Sequence, residues 1–269
     1  MPLLQAFLLG LIQGLTEFIP VSSTAHLLIG QGLLGIPSSD LVFAFLVIIQ
    51  IGTVFSLLVL YWKDLLVLIR AFFARPLSTP ENRLAWNILL ATLPAALIGY
   101  LLRDAVEALF HRPLLEASIR LFSAAILLSL AEWTGKRTRQ LESMTWLDAL
   151  IIGVFQVIAV FPGASRSGTT ISGGMLRGFD RPSAARFAFL MSIPIMLGAG
   201  GYQMLDVARL PGLADFLLPL AVGFVTAAVV GWFAVRWLIG YLSKRSLYAF
   251  AAYCAVAGTV VLAVNFLVQ

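Results

Sequence analysis

Charge is what this chain has least of. Only 12% of its 269 residues are Asp, Glu, Lys or Arg, whereas 60% are hydrophobic and the mean hydropathy is +0.96. A soluble protein of this length needs a charged exterior around its core, and this composition does not supply one. Cysteine is nearly absent as well. Cys254 is alone, so no disulfide forms within the chain, and with two histidines, His26 and His111, there is no Cys/His cluster of zinc-binding spacing. No basic stretch precedes the first apolar run, so a cleaved signal peptide is not expected. The net charge of +5 suggests nucleic acid only until the charges are placed along the chain.

What the chain has in abundance is apolar runs of membrane length. Crossing about 30 Å of hydrocarbon at about 1.5 Å per residue takes about 20 residues. Six segments qualify, at 41–62, 86–103, 114–133, 183–203, 213–235 and 246–267. Two further apolar regions are interrupted. Residues 3–35 break at Pro20 and the Ser22-Ser23-Thr24 run, and residues 146–177 break at Pro162-Gly163 and the polar run from Ser165 to Thr170. The pieces on either side are too short to span, so both regions are expected to be re-entrant helix–loop–helix hairpins. Irregular backbone at that depth is tolerated where it is buried in protein or lines a cavity.

The two interrupted regions are also copies of one pattern. Gly10, Gln13, Phe18 and Ser22 recur 143 residues later as Gly153, Gln156, Phe161 and Ser165. Downstream, Phe43-Ala44-Phe45-Leu46 returns as Phe187-Ala188-Phe189-Leu190 at an offset of 144. The expected fold is an all-α polytopic membrane protein made of two repeats, 1–140 and 141–269. Each is one re-entrant hairpin plus three spanning helices. Three spans are odd, so the second repeat enters the membrane inverted and brings the two hairpin tips together near the midplane. With this topology Lys63, Arg70, Arg75, Arg83, Lys136, Arg137, Arg139, Arg177, Arg181, Arg186, Arg236, Lys244 and Arg245 share one side, and Arg103, Arg112 and Arg209 the other. The bias makes the first side cytoplasmic and puts both termini outside. Trp62, Trp86, Trp133, Trp146 and Trp237 fall near the cytoplasmic ends, as an interfacial belt would. The excess of positive charge is therefore topology and lipid contact, and no nucleic-acid partner is implied.

Polar residues concentrate at the hairpin breaks. Gln13 and Glu17 are four apart and share a helix face. Pro20 ends that helix, Ser22 or Ser23 can cap the next, and His26 lies one turn beyond them. In the second hairpin, Ser165, Arg166, Ser167, Gly168, Thr169 and Thr170 stand at the start of another half-helix. Free N–H groups, hydroxyls and a guanidinium fork form a natural anion site suited to phosphate. The plainer readings are that the hydroxyls only cap helices, that His26 is a core hydrogen-bonding group, and that Glu17 and Arg166 form a structural ion pair. Arg120, with Glu116 four residues before it, reads as a structural pair. Charges at membrane depth are costly, which favours a function for Glu17 and Arg166.

The stretches QGLTEFIPVSSTAH and PGASRSGTT resemble the two signature motifs of the bacterial undecaprenyl-diphosphate phosphatases of the bacitracin-resistance type, and the resemblance extends over essentially the whole chain. It implies hydrolysis of a C55 isoprenoid diphosphate to the monophosphate, recycling the carrier lipid for cell-wall synthesis. The implied setting is the bacterial cytoplasmic membrane, with the site opening outward. It implies Glu17 as catalytic glutamate, Ser23 as nucleophile, His26 as essential histidine and Arg166 as phosphate ligand. Gln13, Ser22, Thr24, Ser165, Ser167, Gly168 and Thr170 then contact substrate. It further implies a divalent cation, Mg2+ or Ca2+. Gln13 holds the place of the family's first glutamate, so Glu17 would be the carboxylate on that metal and the diphosphate would supply most ligands. Either Glu17 or His26 serves as base for Ser23, or His26 is itself the nucleophile. A homodimer is compatible with such a chain. The rival function is a transporter or flippase for the same lipid, which needs the anion site but no base beside a hydroxyl.

Overall fold

The computed structural model describes residues 1–74, 79–102, 113–160 and 164–268. Phe161 and the Pro162-Gly163 break lie outside the described residues, as do Arg75, Arg103, His111 and Arg112. Among the described residues there are eleven α-helices and no strand: α1 Leu3–Thr16, α2 Ser23–Leu33, α3 Asp40–Leu60, α4 Trp62–Phe72, α5 Pro80–Leu101, α6 Pro113–Thr134, α7 Trp146–Ile158, α8 Arg166–Leu176, α9 Arg181–Val207, α10 Leu217–Leu242 and α11 Tyr248–Val268. Six helical segments are long and apolar enough to cross a membrane: Asp40–Leu60, Pro80–Leu101, Pro113–Thr134, Arg181–Val207, Ala214–Leu242 and Tyr248–Leu267. The chain is thus a multi-pass membrane protein. Both interrupted regions are pairs of short helices, of 14 and 11 residues in α1 and α2 and of 13 and 11 in α7 and α8.

Two spans run further than their apolar content suggests. Helix α5 starts six residues before 86 because Thr79 caps it, its hydroxyl accepting from the Asn82 N–H, and Pro80 sits in the first turn, where no amide donor is needed. Helix α10 runs on past 235 because Arg236 stacks its guanidinium 4.5 Å over the Trp232 ring and need not be stripped of polar company. Helix α4 was not foreseen. It exposes Leu66, Val67 and Ile69 and carries Lys63 and Arg70, the make-up of a helix lying in the headgroup region. Trp62, Trp86, Trp133, Trp146 and Trp237 all stay exposed.

The packing partners form a pattern. Helix α1 lies along α10 and α7 along α5, α3 contacts both α9 and α10, α9 contacts α5, and α6 pairs with α11. Small residues let the backbones approach. A Cβ on Gly10 would stand 2.7 Å from the Gly223 carbonyl oxygen of α10, and one on Gly153 would stand 2.5 Å from the Ala91 carbonyl oxygen of α5. The two glycines that the sequence repeats therefore do the same job in the two regions, each seating a short helix against a spanning one. Gly153→Val should cost about 1–3 kcal/mol, since the obstacle is backbone that cannot rotate away. The unfolding midpoint in detergent reports it, and an unchanged midpoint would contradict this closeness.

Polar ties hold the ends of the helices opposite the short-helix breaks. Asp148, fully buried, closes a capping box with Thr145 at the start of α7 and accepts from Arg139 and Arg177 at 2.6 and 2.7 Å. Burial alone would raise its carboxyl pKa, but hydrogen bonds from Arg139, Thr145 and Arg177 outweigh it and hold the group well below the ordinary carboxylate range.

Candidate active site

The break between α1 and α2 delivers Glu17, Ser22 and Ser23 to one place. Helix α1 ends after Thr16, and the chain turns through Pro20 to Ser22, whose φ of 68° is in the left-handed region that only glycine adopts freely. A buried serine held there is a local cost of about 1–3 kcal/mol, the kind of strain that concentrates at functional turns. Ser22 caps α2 by accepting from the Ala25 N–H at 3.4 Å, and Ser23, the first residue of α2, is thereby turned back over α1.

Ser23 donates its hydroxyl proton to Glu17 Oε2 at 2.6 Å. The same oxygen accepts from Gln13 Nε2 at 2.8 Å, and Gln13 also reaches Thr53 Oγ1 of α3 at 3.5 Å. The other oxygen, Oε1, takes the Arg166 guanidinium from the start of α8. A carboxylate buried to 6% exposure is thus satisfied by a hydroxyl, an amide and a guanidinium. The Glu17–Arg166 bond is also what joins the first break to the second. Arg166 keeps part of its guanidinium side chain accessible, at 21% exposure, so it can still meet a ligand.

At the second break, Ser165 caps α8, its Oγ accepting from the Gly168 N–H at 3.2 Å and lying 3.3 Å from Ser167 Oγ. Ser167 also donates to the Ile19 carbonyl at 3.4 Å, a second bond across the two breaks. The helix start adds its unused N–H groups and positive dipole end to the charge of Arg166.

These residues line a cavity of about 690 Å3. Its floor is Glu17, Ser22, Ser23, Thr24, Ser165, Arg166 and Ser167; its walls come from α3, α5, α6, α7 and α9, including Gln50, Thr92, Arg120, Gln156, Tyr202 and Asp206. Four of the residues picked from sequence stand elsewhere. Gln13 sits behind Glu17, and the Gly168 N–H is taken by the Ser165 cap. Thr170 Oγ1 donates to the Arg166 carbonyl at 2.8 Å, a bond within its own helix. His26 faces α11: Nδ1 is 2.8 Å from the Ser22 carbonyl oxygen, which requires the proton on Nδ1, and Nε2 then accepts from Tyr253 OH at 2.7 Å. The two rings are stacked, 5.7 Å apart and inclined by 13°. His26 therefore touches Ser22 and Tyr253, not the Ser23 hydroxyl.

Arg120 keeps the charge of Glu116 near it, as the sequence suggested, and it also lines the cavity and donates to the Ala164 carbonyl at 3.4 Å. Gln156, Tyr253 and Thr53 were missed. Gln156 carried a signal, as the repeat of Gln13; Tyr253 and Thr53 lie in uniformly apolar spans and carried none. Among the described residues no three of His, Cys, Asp or Glu gather to hold a metal ion. With both Glu17 oxygens accepting from donors and an amide at Gln13, the residues present do not form a resident metal cage.

Comparison with known proteins bears on this arrangement directly. Residues 6–260 match the family described as Bacitracin resistance protein BacA. Among the relatives, the undecaprenyl-diphosphatase of Anaeromyxobacter sp. (strain K) is 45% identical over 98% of this chain and 91% of its own. That of Rubrobacter xylanophilus is 44% identical over 93% and 94%, and that of Bacteroides fragilis 40% identical over 97% of both chains. The match covers the break residues around Glu17 and Arg166 and all but the first five and last nine residues of the chain, so this protein belongs to the bacitracin resistance BacA family.

Proposed function

We propose that this protein is an undecaprenyl-diphosphate phosphatase, which hydrolyses the lipid diphosphate to the monophosphate and inorganic phosphate and so returns the carrier lipid to cell-wall synthesis. The observation that carries the reading is the Ser23–Glu17–Arg166 chain, a hydroxyl bonded to a carboxylate that is itself bonded to a cation on the opposite hairpin. A binding or transport site for a phosphate lipid has no use for a carboxylate poised on a serine hydroxyl.

The terminal phosphoryl group binds at the start of α8, held by Arg166, the Ser165 and Ser167 hydroxyls and the free N–H groups of the first turn. Arg166 then bonds to phosphate oxygens in place of Glu17, and Glu17 is left with the Ser23 proton to accept. Binding substrate thereby frees the base. Ser23 Oγ attacks the terminal phosphorus in line, its proton passing to Glu17. The phosphorus–bridging oxygen bond breaks, and its electron pair leaves on the lipid monophosphate. Water attacks the phosphoserine in a second displacement; Glu17 returns the proton it holds to Ser23 Oγ as that atom departs, and the protons of the water leave with the inorganic phosphate. Gln13 holds Glu17, and His26, through Ser22 and Tyr253, holds the turn that presents Ser23. A divalent cation, Mg2+ or Ca2+, would enter with the diphosphate, which would supply most of its ligands, and Glu17 would add a carboxylate to it.

The fold reading follows the same lines. The two short-helix pairs are re-entrant hairpins, and 1–140 and 141–269 are inverted repeats. Support comes from the exchange-symmetric packing of α1 on α10 and α7 on α5 and from the matched roles of Gly10 and Gly153. The cavity is walled by the first halves of α3 and α6 and the last halves of α5 and α9, the ends away from most of the basic residues. By the charge bias it opens to the outer face of the cytoplasmic membrane, with both termini outside and the prenyl tail lying between helices in the lipid.

The test is phosphate release from a prenyl diphosphate by purified protein in detergent with magnesium, with trapping of the phosphorylated residue. Release with an acid-stable adduct on Ser23 is expected. An acid-labile adduct would move the nucleophile to His26, and no release from folded, lipid-binding protein would favour a carrier.

A further inference from the structure

Gln156, part of the pattern repeated in the second hairpin, has no task in the chemistry above. It is 2% exposed, it stands at the wall of the cavity, and neither its amide nitrogen nor its amide oxygen has a hydrogen-bond partner. Each buried polar atom left without a partner is a cost to folding, of the size that removes residues from protein cores unless something else retains them.

The first hairpin explains how the vacancy arises. Gln13 spends its amide on Glu17 and Thr53. In the second copy the residue 143 positions after Glu17 is Val160, and the residue 144 after Thr53 is Leu197, both apolar. Gln156 has therefore kept the amide of the repeated pattern and lost both groups that would satisfy it. Val160 lines the same cavity, so the place a carboxylate would fill beside Gln156 is open to the cavity instead. The nearby wall also carries Arg120, a cation at membrane depth that is 6% exposed and faces this cavity. A buried amide donor without an acceptor, in the same cavity lining as a cation, is a site for an oxyanion.

A diphosphate has two phosphoryl groups. In the reading given above, on which this inference rests, Arg166 and the start of α8 take the one that Ser23 attacks. We infer that Gln156 and Arg120 hold the other, the phosphoryl group that bears the lipid and departs as monophosphate. The Gln156 NH2 donates to an oxygen of that group, and Arg120 supplies charge as its negative charge grows with breaking of the bridging bond. The subsite makes the enzyme select a diphosphate over a monophosphate, since only a diphosphate reaches both ends of the cavity.

The experiment compares wild type with Gln156→Met and Gln156→Leu, using inhibition by inorganic pyrophosphate and by inorganic phosphate alongside turnover of a prenyl diphosphate. Both variants should melt at or above the wild-type temperature, because the unsatisfied amide is gone. Both should lose about tenfold in kcat/KM and bind pyrophosphate about tenfold more weakly, the worth of one hydrogen bond to a charged group, with inhibition by phosphate unchanged. A residue with a packing role alone would not gain stability while losing pyrophosphate. Variants that keep wild-type turnover and pyrophosphate inhibition overturn the subsite, as do variants that both fail to fold, since the amide would then be needed by the fold. A wild type that releases no phosphate, yet binds pyrophosphate over phosphate by calorimetry and loses that preference in both variants, keeps the subsite and overturns the phosphatase.

Discussion

Ser23→Ala, Glu17→Gln and Arg166→Ala should each lower phosphate release by about 1,000-fold or more, with the protein still folded. The serine variant removes the attacking atom. The glutamine variant keeps the shape of Glu17 and can still accept from Ser23 through its amide oxygen, but it cannot take the proton, and positioned bases are typically worth about 100- to 10,000-fold. The arginine variant removes the charge that meets the phosphoryl group, worth a similar factor where the site excludes water. Because Ser23 bonds Glu17 and Glu17 bonds Arg166, the three act as a unit. The Ser23→Ala, Glu17→Gln double variant should therefore lose no more than the worse single variant. The KM values separate the roles further. Ser23→Ala and Glu17→Gln should leave KM near wild type, whereas Arg166→Ala should raise it, since its contact already exists in the bound ground state. Glu17→Gln turnover within tenfold of wild type would remove Glu17 as the base and return that role to His26.

The largest stability loss is expected away from the cavity, at Glu132. This carboxylate, at the end of α6 and 3% exposed, accepts from Arg181 through two parallel bonds of 2.6 and 2.7 Å, from Arg137 at 2.8 Å and from the Leu247 N–H at 2.8 Å. It ties α6 to the start of α9 and to the entry of α11 in one buried knot. It also secures the turn at Arg137, whose φ of 56° is otherwise unfavourable. Glu132→Gln leaves the shape but turns an acceptor oxygen into a donor facing donors, with two guanidinium groups losing their counter-charge. Removing one partner of a buried charge network costs about 3–5 kcal/mol. Denaturant titration in mild detergent should show a loss of that size, with activity retained at temperatures where the variant is folded. A loss under about 1 kcal/mol would mean that water or lipid headgroups already satisfy these arginines.

Much of the protein was legible without coordinates, for reasons that can be named. The six spans follow from run length against hydrocarbon thickness, a solvent constraint that acts on each segment separately. The two breaks follow from proline and from hydroxyls that cap the next helix, which are local effects. The likeness of the two interrupted regions is a direct comparison of residues, and Glu17 and Arg166 stood out because charge is costly in so apolar a chain wherever it sits. What the tertiary structure decided are the relations between segments distant in the chain. Whether Glu17 meets Arg166 across 149 positions depends on how the two short-helix pairs dock, and Gly10 and Gly153 take part by letting α1 and α7 lie close against α10 and α5. His26 was placed beside Ser23 by spacing along one helix, but spacing does not choose partners: Ser23 reaches back to Glu17, and Tyr253 of α11 captured the ring. Thr170 shared a helix start with Arg166, but its hydroxyl closed on the backbone of its own helix. Gln156 shows the division most plainly. Its identity and its kinship with Gln13 are in the sequence, whereas the loss of its partners and its place in the cavity wall exist only once α7 is packed against the spans around it.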